Sequence, residues 1–262
     1  MRLTPPRSSA VFGGLFVLAI ALATAAVSAP TPNAPAPVPA VVRPGPGIRT
    51  LILVRHGAYD EDDPRDPDVG RALTDEGREQ ARLTGERLAA FPLAVDALHS
   101  STMTRARQTA EIIGAALGMA PRPTRLLREC TPPSEREDIM ARETPQALAA
   151  CRDTLDQAWA RFLRPSPGRD SVEVLVAHGN VIRFLTARAL GLDPLRWLRM
   201  GIGHCSLTTI RVRADGSCQV VEVGDVGHLP PRLQARLWSP PAAVARPAAP
   251  DSAAPASKPP VR

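Results

Sequence analysis

The sequence predicts an α/β protein: a three-layer α/β/α fold with a mostly parallel sheet. Apolar runs of strand length occur at 49–54, 94–99 and 172–177, and apolar residues recur with helical spacing between them. Strands that alternate with helices are typical of a parallel sheet covered on both faces. The runs 51–57 and 174–180 each include His-Gly at their ends, so both histidines are expected at the edge where such sheets bind ligands.

The helices of the amino-terminal half follow from their caps. Thr74 can cap a helix that continues to about Ala90, because its hydroxyl can accept a backbone hydrogen bond and acidic residues follow it. A second helix is expected after Ser101, interpreted as its cap, with apolar residues on one face as far as Leu117. A short extended piece is expected at 125–128.

The carboxyl-terminal half is predicted to complete the sheet. A helix begins at Thr144-Pro145, and another covers about 180–190 after the strand at 172–177. Two strands, at 206–212 and 218–223, form a hairpin that is expected to add an antiparallel edge.

Length and composition predict one folded domain over residues 48–236 of the 262-residue chain. The segments 30–47 and 237–262 are rich in Pro and Ala, and such segments bury too little apolar surface to offset the entropy of ordering. We therefore expect a linker before the domain and a disordered tail after it.

Residues 1–29 have the composition of a targeting segment. Arg2 and Arg7 precede an uncharged, mostly apolar stretch at 10–29. This pattern predicts a cleaved signal peptide or an uncleaved anchor that tethers the chain to a membrane. Either alternative predicts an exported domain, periplasmic or extracellular, that is anchored in the inner membrane if the segment is not cleaved.

The charge pattern argues against a nucleic-acid partner. The formal net charge is +6, but it comes from scattered arginines, and aromatic residues make up only 3% of the chain. The sequence therefore lacks a stacking platform for single strands, and an arginine-rich, solvated surface is the preferred interpretation.

The four cysteines leave two interpretations open. Cys130, Cys151, Cys205 and Cys218 can pair in three ways in an oxidising compartment, and four buried or free thiols are an equally good interpretation. Cys205 and Cys218 lie at unequal offsets from the turn at 214–216, so they are not expected to face each other.

Three segments carry side chains suited to a phosphoryl group. They are Arg55-His56-Gly57, the stretch 101–109 with Arg105, and His178-Gly-Asn180. In this order they resemble the histidine phosphatase superfamily, which includes the phosphoglycerate mutases. The resemblance covers about residues 49–228 and implies a phosphoglycerate mutase-like fold.

Further stretches are most similar to the mitochondrial phosphoglycerate-mutase-like serine/threonine protein phosphatases. Among these stretches are His99-Ser-Ser101, Leu126-Leu-Arg-Glu129 and Trp197-Leu-Arg199. Cys130-Thr131 and Gly203-His204 depart from the family pattern. His99, His204 and His228 are expected to be structural or exposed.

The resemblance implies roles that agree with elementary chemistry. His56 would be the nucleophile, since neutral imidazole attacks phosphorus near pH 7 and gives a phosphohistidine. Arg55 and Arg105 would hold the phosphate oxygens, which guanidinium groups match in geometry. His178 would be a further donor, expected as an imidazolium.

Three assignments at this site are less direct. Glu129 is the candidate general acid, expected to have a raised pKa because it lies beside a dianion, although Glu135 and Glu137 are close in sequence. Gly57 is a candidate substrate-binding residue, and the backbone near it is a candidate hydrogen-bond acceptor for the second ring nitrogen of His56. Asn180 either orients the phosphate pocket or caps its helix.

Together these observations predict a metal-independent phosphomonoester hydrolase with no cofactor. The substrate is expected to be phosphoserine or phosphothreonine protein; the alternatives are a small-molecule phosphatase of the same superfamily and a non-catalytic phosphate-binding scaffold. A metal site at His56, His178 and Glu129 is disfavoured, because arginines in the same pocket would repel a cation. Mutase activity is disfavoured because Ala58-Tyr-Asp stands where mutases carry Glu-Ser. An oligomer is allowed.

Overall fold

The computed structural model describes residues 45–234. The targeting segment at 1–29, most of the predicted linker and the tail at 237–262 lie outside the described residues, so the domain boundaries stay predictions. Within residues 45–234, no helix combines the length and the apolar character needed to cross a membrane.

Strands and helices alternate along the described chain. The strands are β1 (Arg49–Arg55), β2 (Ala97–Ser101), β3 (Arg122–Thr124), β4 (Ser171–Ala177), β5 (Leu207–Val212) and β6 (Cys218–Asp225). The α-helices are α1 (Asp75–Ala89), α2 (Thr104–Leu117), α3 (Glu137–Met140), α4 (Pro145–Phe162) and α5 (Gly179–Ala189). Short 3-10 helices occur at Arg125–Leu127, Pro194–Arg199 and Pro231–Leu233.

The sheet has the predicted mixed topology. Its strand order is β3-β2-β4-β1-β5-β6, with parallel pairing among the first four strands and antiparallel pairing of β5 and β6. The last residues of the central strands, Arg55 and Ala177, are partners in the register. The residues that follow them, His56 and His178, therefore leave the sheet side by side.

Strand β1 shows how the layers form. Leu51 and Leu53 join the core cluster that contains side chains of α4 and α5, whereas Ile52 and Val54 join the cluster that contains side chains of α1 and α2. Because successive strand residues point to opposite faces, this alternation places helices on both sides of β1.

Two local predictions are confirmed and two are wrong. The Thr74 hydroxyl accepts a hydrogen bond at the start of α1, and α4 begins at Pro145 after Thr144, both as expected. Ser101 does not cap α2, because it is the last residue of β2 and Met103 occupies the cap position without a side-chain bond. The segment expected to be extended at 125–128 begins with a 3-10 helix, and the strand precedes it.

Candidate active site

His56 directly follows β1, and its ring adopts the tautomer with a lone pair on Nε2. Its Nδ1 lies 2.9 Å from the carbonyl oxygen of Gly57, which can only accept, so Nδ1 carries the proton. Arg105 Nε donates to His56 Nε2 over 3.1 Å. Burial lowers the pKa of His56 well below its usual value, and the charges of His178, Arg55 and Arg105 lower it further. The ring is therefore neutral, with its lone pair on Nε2.

His178 follows β4, and its ring centroid lies 4.9 Å from that of His56. His178 Nε2 is 2.8 Å from the Ser101 hydroxyl oxygen at the end of β2. Burial lowers the pKa of His178 well below its usual value, and Arg105 and Arg55 lower it further. His178 is therefore neutral here, and the imidazolium expected from the sequence is wrong, because burial beside two arginines disfavours a further positive charge.

Two arginines border the histidines from different elements. Arg55 ends β1 and donates through Nη1 to the carbonyl oxygen of Ile202 over 2.7 Å. Arg105 lies in the first turn of α2, is only 5% exposed and faces His56. The amino-terminal end of α2 adds its positive dipole to this side of the pocket.

Several buried nitrogens of this cluster are unpaired. Within residues 45–234, Arg55 Nε, Arg105 Nη1 and His178 Nδ1 have no hydrogen-bond partner. Buried polar groups are normally paired, since an unpaired donor costs free energy. Guanidinium donors that are unpaired beside a neutral imidazole favour an anion with several acceptor oxygens as the ligand of this pocket.

Glu129 is the carboxylate that joins this cluster. Burial raises its pKa to about 7, against the opposing charges of Arg55, Arg105 and Arg183. The direction of the shift agrees with the sequence expectation, but burial produces it without a bound dianion. The neighbouring candidates differ: Glu135 forms an ion pair with Arg199, and Glu137 is exposed at the start of α3.

Asn180 connects the Glu129 segment to α5. Its Nδ2 donates to the carbonyl oxygen of Cys130 over 3.2 Å, and its Oδ1 accepts from Arg183 Nη1 over 3.3 Å. The cap position of α5 is held by His178, so the alternative in which Asn180 caps the helix is wrong.

Gly57 allows a close backbone approach. A Cβ there would lie 2.5 Å from the carbonyl oxygen of Gly77 at the start of α1. The Gly57 amide donates to the Thr109 hydroxyl over 3.0 Å. The structure thus shows Gly57 in a packing contact that brings β1, α1 and α2 together beneath His56.

Sequence reasoning missed three side chains beside His56 or Glu129. The rings of Tyr59 and His204 have centroids 5.1 Å and 5.4 Å from that of His56, and Tyr59 also lies under Arg105. Arg183 faces Glu129 from α5. The departure of Gly203-His204 from the family pattern was the available signal for His204, whereas Tyr59 and Arg183 lack the spacing that marks the other site residues.

The remaining histidines lie apart from this cluster. His99 is buried, with Nε2 3.4 Å from a carboxylate oxygen of Glu173, which agrees with the structural role expected for it. His228 Nε2 lies 3.0 Å from the Thr84 hydroxyl oxygen. Across the described residues, no group of three or more His, Cys, Asp or Glu side chains is arranged to hold a metal ion.

The structure selects one cysteine pairing. Cys130 and Cys151 form a disulfide, with Cα atoms 5.7 Å apart, whereas Cys205 and Cys218 are free. The disulfide joins the residue after Glu129 to α4, so the segment that carries the carboxylate is fixed covalently as well as through Asn180.

Comparisons with known proteins identify the family of this chain. The profile of the histidine phosphatase superfamily (branch 1) matches residues 51–226. The mitochondrial serine/threonine-protein phosphatase Pgam5 of Caenorhabditis elegans is 38% identical over 194 residues, which cover 70% of this chain and 65% of the relative. The human protein of that name is 36% identical over 189 residues, with 70% and 64% coverage. The chain thus spans less than two thirds of the length of these relatives.

A solved structure shows the same fold. The crystal structure of phosphoglycerate mutase from Plasmodium falciparum has a TM-score of 0.50 and 27% identity, and the match covers 70% of this chain and 95% of that one. This likeness confirms the predicted α/β, phosphoglycerate mutase-like fold.

The comparisons correct one expectation. The relatives are named as mitochondrial proteins, so the inference of an exported, periplasmic or extracellular chain is wrong. A basic residue or two ahead of an apolar stretch did not distinguish export from other targeting, since several kinds of targeting segment share these features. The matched profile spans the segments that contain His56, Arg105 and His178. This chain belongs to the histidine phosphatase superfamily.

Proposed function

We propose that this chain is a metal-independent phosphomonoester hydrolase that acts on phosphoserine and phosphothreonine protein through a phosphohistidine at His56. One observation carries the proposal. The lone pair of His56 Nε2 lies in a buried pocket beside the unpaired nitrogens Arg55 Nε and Arg105 Nη1. A nucleophile and two cationic phosphate ligands are what phosphoryl transfer requires of a protein.

In the first step, His56 Nε2 attacks phosphorus. The nitrogen–phosphorus bond forms as the ester oxygen–phosphorus bond breaks, and the proton stays on Nδ1, which donates to the Gly57 carbonyl oxygen. Arg105, which donates to Nε2 in this structure, would turn its donors to the phosphoryl oxygens. Arg55 and neutral His178 supply further donors, so the charge that develops on these oxygens is stabilised.

Glu129 completes both steps. With a pKa of about 7 it holds a proton on much of the enzyme near neutral pH and can give it to the departing alkoxide. In the second step the resulting carboxylate takes a proton from water, which attacks phosphorus and breaks the nitrogen–phosphorus bond. Phosphate leaves, and Nε2 and Glu129 return to their starting states. Asn180 holds the Glu129 segment in place through the Cys130 carbonyl.

The choice of a protein substrate rests on the relatives. Both are named serine/threonine-protein phosphatases, and their sequence similarity covers nearly all of the described fold. The residues around the phosphate pocket are compatible with any phosphomonoester, so the substrate has to be tested directly.

The test uses the full-length protein with excess EDTA. Hydrolysis of an aryl phosphate and of phosphoserine and phosphothreonine peptides is measured, and the enzyme is quenched during turnover to detect an acid-labile, base-stable phosphoryl group. We expect chelator-resistant turnover, a trapped phosphohistidine and a higher kcat/KM for the peptides than for the aryl ester. Loss of activity in EDTA would exclude the metal-free mechanism. A preference for small esters would identify a small-molecule phosphatase, and no turnover by folded protein would favour the scaffold.

We also propose that residues 10–29 tether the chain to a membrane. The apolar, uncharged character of 10–29 supports this proposal. Extraction of the native protein with detergent but not with alkaline carbonate would test it.

A further inference from the structure

His204 is the third imidazole around His56. It precedes β5, is only 7% exposed, and its ring centroid lies 5.4 Å from that of His56 with the planes tilted by 42°. The ring of Tyr59 stands almost perpendicular to it, with the centroids 6.2 Å apart. The mechanism above assigns His204 no step.

A tight turn brings His204 into this place. Cys205 adopts a φ of 53°, in the left-handed region that non-glycine residues rarely occupy. Its amide donates to the carbonyl oxygen of Arg55 over 2.9 Å, and the Ser206 hydroxyl donates to the carbonyl oxygen of Gly203 over 2.8 Å. The turn is therefore fixed to the end of β1, the strand that carries the nucleophile. Backbone of this kind is concentrated at functional sites, where the surroundings enforce it.

The ring of His56 needs support from its neighbours. On its Nδ1 side the ring is hydrogen-bonded to the carbonyl of the next residue, Gly57, and Arg105 must leave Nε2 before phosphorus can approach. During the reaction, packing has to replace the Arg105 contact. The rings of Tyr59, His178 and His204 surround His56 at 4.9 to 5.4 Å.

These contacts differ in what else they do. Tyr59 is partly exposed and is stacked with Arg105, and His178 faces the phosphate-binding donors. His204 is buried, and of the three rings its plane is the nearest to parallel with that of His56. A buried ring at this distance and tilt can limit rotation of the His56 ring.

We propose that His204 is a positioning residue, whose ring, delivered by the left-handed turn at Cys205, holds the His56 imidazole in line for attack. The inference rests on the proposed phosphohistidine mechanism. It assigns His204 to packing and not to contact with substrate, which separates it from the arginines and from His178.

Two variants distinguish packing from hydrogen bonding. His204→Ala removes the ring, and we expect kcat to fall about 10- to 100-fold with KM within about 3-fold, because a small misplacement of a reacting group has effects of this size. His204→Phe keeps a flat ring without nitrogens, and we expect it to recover most of the lost kcat. His99→Ala, which removes a buried imidazole away from the pocket, is the matched control. Thermal melting checks that each variant is folded.

A second readout does not depend on activity. Nitrogen NMR of labelled histidine reports which ring nitrogen of His56 is protonated. We expect the Nδ1-protonated form in the wild type and in His204→Phe, and a mixture with the Nε2-protonated form in His204→Ala, because the freed ring can turn away from Gly57. His99→Ala should match the wild type.

The outcomes separate cleanly. Lower kcat and a mixed tautomer in His204→Ala, both restored in His204→Phe, support the proposal. Three results would overturn it. The first is an unchanged kcat in folded His204→Ala. The others are equal losses in both variants and a rise in KM at constant kcat, because these require the imidazole nitrogens to act on substrate. If the wild type hydrolyses no phosphomonoester, the proposed function fails, and the NMR comparison still decides whether His204 holds His56.

Discussion

Two buried clusters with the same residue types lie on neighbouring strands of the sheet. Near the amino-terminal ends of β1 and β4, Arg49 Nη1 is 2.9 Å from Glu173 Oε1, and His99 Nε2 is 3.4 Å from Glu173 Oε2. At the carboxyl-terminal ends, arginine, histidine and Glu129 gather again. Within residues 45–234, however, no ion pair joins Glu129 to an arginine there.

Direct contact accounts for the opposite behaviour of the two glutamates. Burial alone would raise the pKa of Glu173, but the close approach of His99 and the charge of Arg49 together outweigh it and lower the pKa below its usual value. Glu129 lies among three arginines and touches none, so burial prevails and raises its pKa to about 7. In the Glu173 cluster the opposite charges are in contact, and the cluster has a structural role. In the Glu129 cluster the charges are held apart, so the carboxyl group keeps its proton and the arginine donors stay available to a ligand.

The largest contrast is expected between the two histidines. His56→Ala removes the proposed nucleophile, and kcat should fall by at least about 10⁴-fold, as for other covalent catalysts. His99→Ala removes an equally buried imidazole from the paired cluster, and kcat of the folded protein should stay within about 3-fold while the melting temperature falls. Turnover of an aryl phosphate in EDTA measures both effects. Residual activity of His56→Ala above about 1% would remove His56 as the nucleophile.

The effects of replacing Glu129 and Glu173 should differ nearly as much as those of replacing the two histidines. Glu129→Gln removes the acid and base, and kcat for phosphoserine peptides should fall about 10²- to 10⁴-fold. With an aryl phosphate, whose leaving group needs little protonation, the variant should release phenol in a burst and accumulate phosphoenzyme, since the second step still lacks its base. Rapid-quench kinetics would show the burst.

Glu173→Gln is the matched change in the paired cluster. It leaves Arg49 and His99 buried without their carboxylate, so it should lower the free energy of unfolding by about 3 kcal/mol without a burst. Equal steady-state losses in the two variants, with no burst in Glu129→Gln, would show that Glu129 is structural.

The sequence was sufficient for the fold and for the placement of His56 and His178. Apolar strand runs and His-Gly ends are local patterns, and parallel neighbours necessarily bring their carboxyl ends to one edge. Arg105 and Glu129 required the family resemblance, because nothing in their own spacing shows which way they point.

The features that were missed depend on tertiary contact. His178 is neutral because it is buried, and His204 lies beside His56 because of the turn at Cys205. Both features arise from chain segments far apart in sequence. The Cys130–Cys151 disulfide was one of the pairings left open, since spacing alone does not distinguish them. Serine often caps helices, but Ser101 pairs in β2 and its hydroxyl is hydrogen-bonded with His178, and these contacts outweigh the local preference.

Two arginines on different faces of α2, two residues apart, test the electrostatic side of the comparison. Arg105→Ala removes a donor from the buried pocket, so we expect KM to rise about 10-fold and kcat to fall about 10²-fold. Arg107→Ala, on the exposed face of the same helix, should change neither by more than about 2-fold. Initial rates against substrate concentration separate the two constants. Unchanged kinetics in Arg105→Ala would place it outside the phosphate pocket.

The smallest expected effect is on the pH dependence of the free energy of unfolding. Glu129 and Glu173 should change this dependence in opposite directions. Glu129 has a folded pKa of about 7, above its usual 4.5, so its contribution is complete below pH 4.5 and is lost as pH rises through 7. A shift of this size corresponds to about 3 kcal/mol. Glu173 has a lowered pKa, so its contribution is present above its unfolded value and is lost as pH falls.

Urea unfolding of the wild type and of both Gln variants, between pH 4 and 8, measures these contributions as differences. From about pH 4.5 to 7, the wild type should lose stability relative to Glu129→Gln, because the unfolded chain releases the proton that the folded pocket retains. Relative to Glu173→Gln, the wild type should gain stability from the acid end of the range upward, because the paired carboxylate forms there. Parallel curves for Glu129→Gln and the wild type would mean that the pKa of Glu129 does not change on folding. A wild-type curve that rises from the acid end would mean that the pocket carboxylate is ionised as Glu173 is, and that the two clusters differ in position but not in protonation.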